Sequence, residues 1–263
     1  QTASAAMATF VPASSEVPSF KGAVCVIADV CRGNVGQLAA DVLTATLEMK
    51  RVGYFDDPAV LPAVGNEGTQ MTVNVELYHS SAKNLFVLQQ RSPAVAALAE
   101  GWAARLAEWA SKSEFKTVLL LTSLPAELRT DDRLSEGGSQ LTLECALTGR
   151  EGKKRAGELG WECVKGVGDE LSTPEEMLEV EQVRAEATPT SRTMLESAAA
   201  AGLDLVALMA WCNEGANMED GMQMAGWVSR FLQLLPPDEP PRWRAPSSWR
   251  ILLENNAPRA IYN

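Results

Sequence analysis

Several groups in this chain have residue types that could carry chemistry. Gly33-Asn34-Val35-Gly36 follows an apolar run and precedes a helical pattern, the place where an α/β protein holds phosphate on a helix N-terminus. A phosphate cradle needs G-x-G-x-x-G or G-x-x-x-x-G-K-[ST], and neither occurs here. A bare glycine pair at such a turn is ordinarily backbone geometry. His79 stands beside Ser80 and Ser81, superficially a base with a nucleophile. Neighbours on a strand point to opposite faces and form no relay, and no G-x-S-x-G elbow accompanies them. One histidine cannot build the usual His-based zinc sites. Cys25, Cys31, Cys145, Cys163 and Cys212 show no C-x-x-C spacing to replace them. Adjacent acids at Asp56-Asp57, Asp131-Asp132, Glu175-Glu176 and Glu219-Asp220 could pair as acid and base. Acids in polar, loop-like sequence are ordinarily surface charge, and the last pair opens a helical pattern, where its charge complements the dipole. The expectation is therefore no catalytic, cofactor-binding or metal-binding residue, and no enzyme activity.

Charge and composition narrow the partners. With 23 Lys+Arg against 34 Asp+Glu the formal net charge is −11, a field that repels nucleic-acid phosphate. The compact basic run Lys153-Lys154-Arg155 reads as a solvated helix face. Neither nucleic acid nor membrane is expected as a partner, since no stretch of about 18 uninterrupted apolar residues exists. An odd number of cysteines, several within apolar runs, suits buried free thiols in a reducing compartment. Gln1–Ala6 has neither the charged start nor the apolar centre of a signal peptide, and Met7 is a candidate start. The expectation is a soluble intracellular protein.

Hydrophobic periodicity supplies the elements. Ala23–Ala28 is a continuous apolar run that predicts a strand buried on both faces. A helix with Leu38, Val42, Ala45, Leu47 and Met49 follows, and a strand at Val52–Phe55 closes a β-α-β unit. Asp56 to about Thr69 reads as a polar, proline-marked loop. Met71–Tyr78 alternates as a half-exposed strand does and forms a β-hairpin with Asn84–Gln89. Leu98, Trp102, Leu106 and Trp109 mark an amphipathic helix over 94–112, and Thr117–Thr122 is the next buried strand. Between Pro125 and Pro189 the pattern predicts a strand at Leu141–Leu147 and a Glu-rich helix from Pro174 to Ala187. A helix over Arg192–Ala201, a central strand over Leu203–Trp211 and a helix over Glu219–Leu235 complete the series. That last helix carries apolar residues on more than one face. Its stripe reads as core, with a partner surface as the alternative. Pro236-Pro237 stops it.

The predicted architecture is a single α/β, three-layer-like domain over 21–235, with a mostly parallel central sheet plus a β-hairpin. Residues 1–20 form an N-terminal segment, and 236–263 a non-globular, proline-containing C-terminal tail.

Several blocks resemble one family. Gly33-Asn34-Val35-Gly36-Gln37-Leu38-Ala39, Val52-Gly53-Tyr54-Phe55, Val64-Gly65-Asn66, Gln90-Arg91-Ser92-Pro93 and Glu214-Gly215-Ala216-Asn217 occur in the order seen in the proteasome assembly chaperone 2 family. Ala216 stands where that family has an acidic residue. The most distinctive block is Arg242-Trp243-Arg244-Ala245-Pro246-Ser247-Ser248-Trp249-Arg250. The resemblance implies a chaperone without cofactor or enzyme activity, found in cytoplasm and nucleus. It implies a heterodimer with proteasome assembly chaperone 1 that binds proteasome α subunits on the outer face of the α-ring. There the pair promotes core-particle assembly and prevents off-pathway ring dimers and premature regulator binding. The alternative is a phosphate- or nucleoside-handling enzyme on a Rossmann-like scaffold, using the Gly33–Gly36 loop.

Within that resemblance the C-terminus acquires a role. Ile261-Tyr262-Asn263 is similar to the HbYX ending (hydrophobic residue, tyrosine, any residue) by which proteasome regulators enter pockets between α subunits. The terminal carboxylate would pair with a pocket lysine, Tyr262 would anchor with an apolar body and polar tip, and Ile261 would add apolar burial. Trp243 and Trp249 have two readings: anchors to a partner, or side chains folded back on their own domain.

Overall fold

Alternation within the apolar runs decides the layers. In strand β2 (Val24–Ala28), Cys25 and Ile27 face one core while Val26 and Ala28 face another. The same division holds in β8 (Thr117–Pro125), with Val118 and Leu120 against Leu119 and Leu121. It recurs in β10 (Leu205–Cys212), with Ala207 and Met209 against Leu208 and Ala210. Strands apolar on both faces require helices on both faces. The computed structural model describes residues 9–128, 143–147, 149–161, 185–236 and 241–249.

Among the described residues the remaining main-sheet strands are β1 (Thr9–Pro12), β3 (Lys50–Asp56), β6 (Val75–Ser80), β7 (Leu85–Gln90) and β9 (Leu143–Leu147). The order is β1-β3-β6-β7-β2-β8-β10-β9. The centre, β7-β2-β8-β10, is parallel, while β1, β3 and β6 on one side and β9 on the other pair antiparallel. Helices α1 (Val35–Thr46), α3 (Arg150–Glu158) and α5 (Met218–Leu232) cover one face. Helices α2 (Ala99–Lys112) and α4 (Pro189–Ala201) cover the other. The expected α/β domain with its three layers is the observed one.

Two expectations about strands are corrected. Met71–Tyr78 is not one strand. It breaks at Asn74, whose carbonyl accepts the Arg91 amide at 2.7 Å, so that β5 (Gln70–Val73) pairs with β4 (Val64–Glu67) in a separate two-stranded ribbon while β6 stays in the main sheet. The ribbon occupies part of the stretch read as loop. Second, β3 does not lie beside β2: β7 and β6 come between them. The hairpin β6–β7 inserts there, because its strands pair with β3 on one side and β2 on the other.

The α2 side is aromatic. Phe10, Phe20, Phe55, Phe86, Trp109 and Phe115 make mostly edge-to-face or tilted contacts at 4.8–5.7 Å, the arrangement the ring quadrupole favours. The expected Glu-rich helix lies mostly outside the described residues. Helix α4 begins where Thr188 accepts the Ser191 amide at its side chain and Pro189 takes the first position. It ends at Gly202 in the left-handed region.

Candidate functional site

The carboxyl ends of the parallel strands are where such sheets usually take ligands. Here the glycines of the Gly33–Gly36 loop serve packing. Gly33 has φ +66°, and an added Cβ would lie 2.2 Å from Asn217 Nδ2. Asn217 fills that space and donates to the Gly33 and Asn213 carbonyls at 3.2 and 2.8 Å. Gly36 brings α1 onto β8, with the Leu121 carbonyl 2.6 Å from a would-be Cβ. Thus the Glu214–Asn217 block holds the Gly33 loop, although the two are far apart in sequence.

Beside this loop lies a buried polar cluster that the sequence did not disclose. Asp29 Oδ2 accepts hydroxyl hydrogens from Thr188, Ser191 and Thr122 at 2.5, 2.6 and 3.1 Å. Burial pushes its carboxyl above the usual range, and the hydroxyl donors pull against that. The cluster ties the start of α4 to the sheet. Nearby, Ser123 Oγ and Cys212 Sγ both donate to the Arg32 carbonyl. Cys25, Cys31 and Cys212 are free and buried. Burial, with Asp29 adding to it, pushes the Cys31 thiol up to about 12, so it is a poor nucleophile. His79 stacks on Phe86 at 4.4 Å. No group of three metal-ligating side chains occurs among the described residues.

Of the acid pairs, Glu219-Asp220 occupies the first turn of α5 as expected. Asp131-Asp132 and Glu175-Glu176 lie outside the described residues. Asp57 departs from the surface-charge reading: it is buried, and Arg105 grips it with two bonds of 2.7 Å while the Ala59 amide donates to it. This pair fastens the end of β3 to α2. In the basic run, Lys153 and Lys154 are exposed, but Arg155 turns in and donates to the Phe231 and Arg230 carbonyls at the end of α5.

A second polar cluster lies under α1. Glu76, fully buried, accepts from Arg51 at 2.6 Å, from Tyr78 at 3.0 Å and from Arg91 at 3.1 Å. Arg91 also reaches Asp41 on α1 at 3.2 Å, and Gln89 donates to Asp41 at 2.7 Å. Burial raises the Asp41 pKa; Arg91, Gln89 and Trp249 oppose it.

Trp249 belongs to the distinctive tail block, and the structure shows where that block goes. Residues 241–249 form a strap across the α1 side of the domain. Trp243 packs against the core under α1 and α5, and Trp249 is 2% exposed in the same core. The Trp249 Nε1 is buried without a hydrogen-bond partner, yet faces Asp41 closely enough to favour its charge. Between them, the Arg244 amide donates to Thr46 Oγ1 at 3.0 Å and its guanidinium pairs with Glu48 at 2.7 Å. Ser247 then donates to Glu67 at the tip of β4 through its amide (2.5 Å) and its hydroxyl (2.6 Å), and the Ser248 amide adds a bond of 3.2 Å to the other oxygen. The strap so joins α1, α5 and the β4–β5 ribbon. Both tryptophans, read from sequence as anchors to a partner or to their own domain, touch their own domain. Ile261, Tyr262 and Asn263 lie outside the described residues.

The model of the PAC2 family matches residues 32–229, which include the Gly33–Gly36 loop, the Glu76 cluster and the Glu214–Asn217 block. This chain belongs to the PAC2 family. Proteasome assembly chaperone 2 of Danio rerio is 28% identical over 265 residues, covering 96% of this chain and all of that protein. The Homo sapiens protein of that name is 27% identical over 273 residues with the same coverage. Among solved structures, Pyrococcus furiosus PbaA, an archaeal homolog of proteasome-assembly chaperone, aligns with a TM-score of 0.63 at 17% identity, over 85% of this chain and 87% of its own. PbaB of the same organism, an archaeal proteasome activator, aligns with a TM-score of 0.61 at 13% identity, over 88% and 91%. At those identities the likeness concerns fold. The PAC2 fold accordingly accounts for the sheet order and helix layers. No described helix is long and apolar enough to cross a membrane.

Proposed function

We propose that this chain is a non-catalytic proteasome assembly chaperone. It acts as one half of a heterodimer with a proteasome assembly chaperone 1 partner and binds α subunits of the proteasome in cytoplasm and nucleus. The observation that carries the reading is the near-full-length match to relatives named Proteasome assembly chaperone 2, joined to membership of the PAC2 family. In this reading the pair supports α-ring formation, prevents off-pathway ring dimers and keeps regulators from docking early.

The strap gives the reading a mechanical basis. Because Trp249 is held in the core, the 14 residues after it start from a fixed point on the α1 side. Fully extended they span at most about 50 Å. A start anchored at Trp249 limits the pockets within reach of Ile261-Tyr262-Asn263 to those inside that span, which raises the effective concentration of the motif near an adjacent one. The terminal carboxylate and Tyr262 then engage a pocket between α subunits as a charge-assisted and an aromatic anchor.

The test is co-purification with proteasome α-rings, the sister chaperone present, for the full chain and a chain lacking 261–263. Truncation should weaken α-ring capture and leave the heterodimer intact. A full chain that captures no α subunit would end the assignment; equal capture by both would end the role of the terminal residues alone.

A further inference from the structure

The strap carries a feature beyond anchoring. Ser247 is exposed, and its hydroxyl is committed to one acceptor, Glu67, at 2.6 Å. Arg244 and Arg242 stand three and five residues before it, and both are exposed. No other serine or threonine in the sequence has a lysine or arginine three positions before it; for Ser248 that position is Ala245. Basic residues at fixed distances before a serine are the charge pattern by which an acidic kinase cleft selects its substrate.

We propose that Ser247 is a phosphorylation site for a basophilic serine kinase using ATP, and that its modification releases the 241–249 strap. In the transfer, Ser247 Oγ attacks the γ-phosphorus. The new Oγ–P bond forms as the bond from that phosphorus to the β–γ bridging oxygen breaks. ADP departs, and the hydroxyl proton passes to the base of the kinase. A neutral donor becomes a group of charge near −2 that can only accept from Glu67's neighbours. Glu67 loses the Ser247 hydroxyl and faces a like charge. Arg244 meanwhile gains a stronger anion than Glu48, its present partner at 2.7 Å. Both changes weaken contacts that hold the strap.

Kinase clefts bind extended segments, whereas Ser247 sits in a turn just before buried Trp249. The kinase therefore acts on the locally opened strap, and the phosphate prevents its return, a population shift fixed by a covalent mark. The proposal does not depend on the proteasome reading, because neither readout below involves a proteasome.

The experiment treats the full chain with Mg-ATP and the catalytic subunit of cAMP-dependent protein kinase as the basophilic probe. Phosphate is mapped by mass spectrometry, and amide exchange is followed over 241–249. Expected are one phosphate on Ser247, none there in Ser247→Ala, and incorporation slowed by about tenfold or more in Arg244→Ala, the scale of one lost charge-assisted contact. Trp249→Ala, with its strap opened, should be modified faster than the parent chain. Exchange over 241–249 should rise by about tenfold or more in the phosphorylated chain. Absence of phosphate on Ser247 even in Trp249→Ala overturns the site. Phosphorylated chain with the exchange protection of the unmodified chain overturns the release.

Discussion

Replacing Trp249 with alanine should open the strap while leaving the sheet intact. The indole is 2% exposed, and truncating a buried tryptophan costs about 3–5 kcal/mol. Its Nε1 lacks a well-formed hydrogen bond, but because it faces the Asp41 carboxylate the subtraction from what burial contributes lies at the low end, about 1 kcal/mol. A net loss of about 2–4 kcal/mol follows. Ordering backbone costs about 1–2 kcal/mol for each residue, so a nine-residue strap held by two tryptophans and a few polar bonds is close to balance. The loss therefore appears as local opening and not as unfolding of the strands beneath. At about 1.4 kcal/mol per factor of ten, 3 kcal/mol corresponds to a rise of roughly 150-fold in the opening equilibrium. Amide exchange resolved by segment is the assay: residues 243–249 should lose protection by about two orders of magnitude, while β2, β7 and β8 keep theirs. If strap exchange changes by less than about threefold, other contacts hold the segment and its tryptophan is incidental. If β2 and β7 exchange faster to the same extent, Trp249 is a wedge of the core and the strap has no independent opening.

Three further outcomes follow from named contacts. Gly33→Ala should destabilise the fold, because its φ is +66° and the new Cβ meets Asn217 Nδ2 at 2.2 Å. Gly226→Ala, in mid-helix with nothing within 4 Å, should stabilise it by about 0.5–1 kcal/mol; urea midpoints of the two variants check both signs. Arg105→Ala leaves the buried Asp57 carboxylate unpaired and should cost about 3–5 kcal/mol, part of which Asp57→Ala in the same chain should restore. For Glu67, burial alone would raise the pKa, but the Ser247 and Ser248 donors outweigh it and hold the carboxyl below its ordinary 4.5. Its contribution to strap docking is complete above pH 4.5 and is lost as pH falls through the depressed folded value. The emission of Trp249, taken as the difference between this chain and Trp249→Phe, should shift in acid from a buried to a solvent-exposed maximum, and Glu67→Gln should remove that pH dependence.

The parts of the fold legible in the sequence are those where one physical demand dominates. Runs buried on both faces, at Ala23–Ala28, Thr117–Thr122 and Leu203–Trp211, carry polar residues only at or near their ends (Thr117, Thr122, Asp204), and each holds a central strand. The break at Asn74 was hidden because β5 and β6 share one alternation; only the bond from the Arg91 amide to the Asn74 carbonyl, distant in sequence, marks it. Glu76 was equally hidden. On an alternating strand it reads as solvent-facing, yet Arg51, Arg91 and Tyr78 converge on it beneath α1. The position of β3 depends on the β6–β7 hairpin inserting beside β2, a long-range choice that local periodicity does not encode. Trp243 and Trp249 signalled an anchor by their type, but which surface receives them is a property of the folded domain.

The arrangement of polar side chains also bears on where this chain meets other molecules. In a doubly wound sheet the crevice for a ligand opens where successive helices leave toward opposite faces, here between β2, which leads into α1, and β7, which leads into α2. That crevice is filled from within. Gln37 donates to the Gln90 carbonyl at 2.8 Å, Gln89 donates to the Gln37 carbonyl at 2.9 Å, and Trp102 donates to the Gln90 side chain at 3.0 Å. The neighbouring loop is filled by Asn217. With those sheet ends occupied, exposed apolar side chains lie instead at the periphery, among them Val64 and Met71 of the ribbon, 75% and 64% exposed. Among the described residues the hydrogen bonds between the strap and the ribbon converge on Glu67, so an event on the strap reaches the exposed ribbon through that carboxylate. A partner that binds the ribbon only when it is braced should lose affinity for Glu67→Ala as much as for Trp249→Ala. A partner that binds the ribbon alone should distinguish neither variant from the parent.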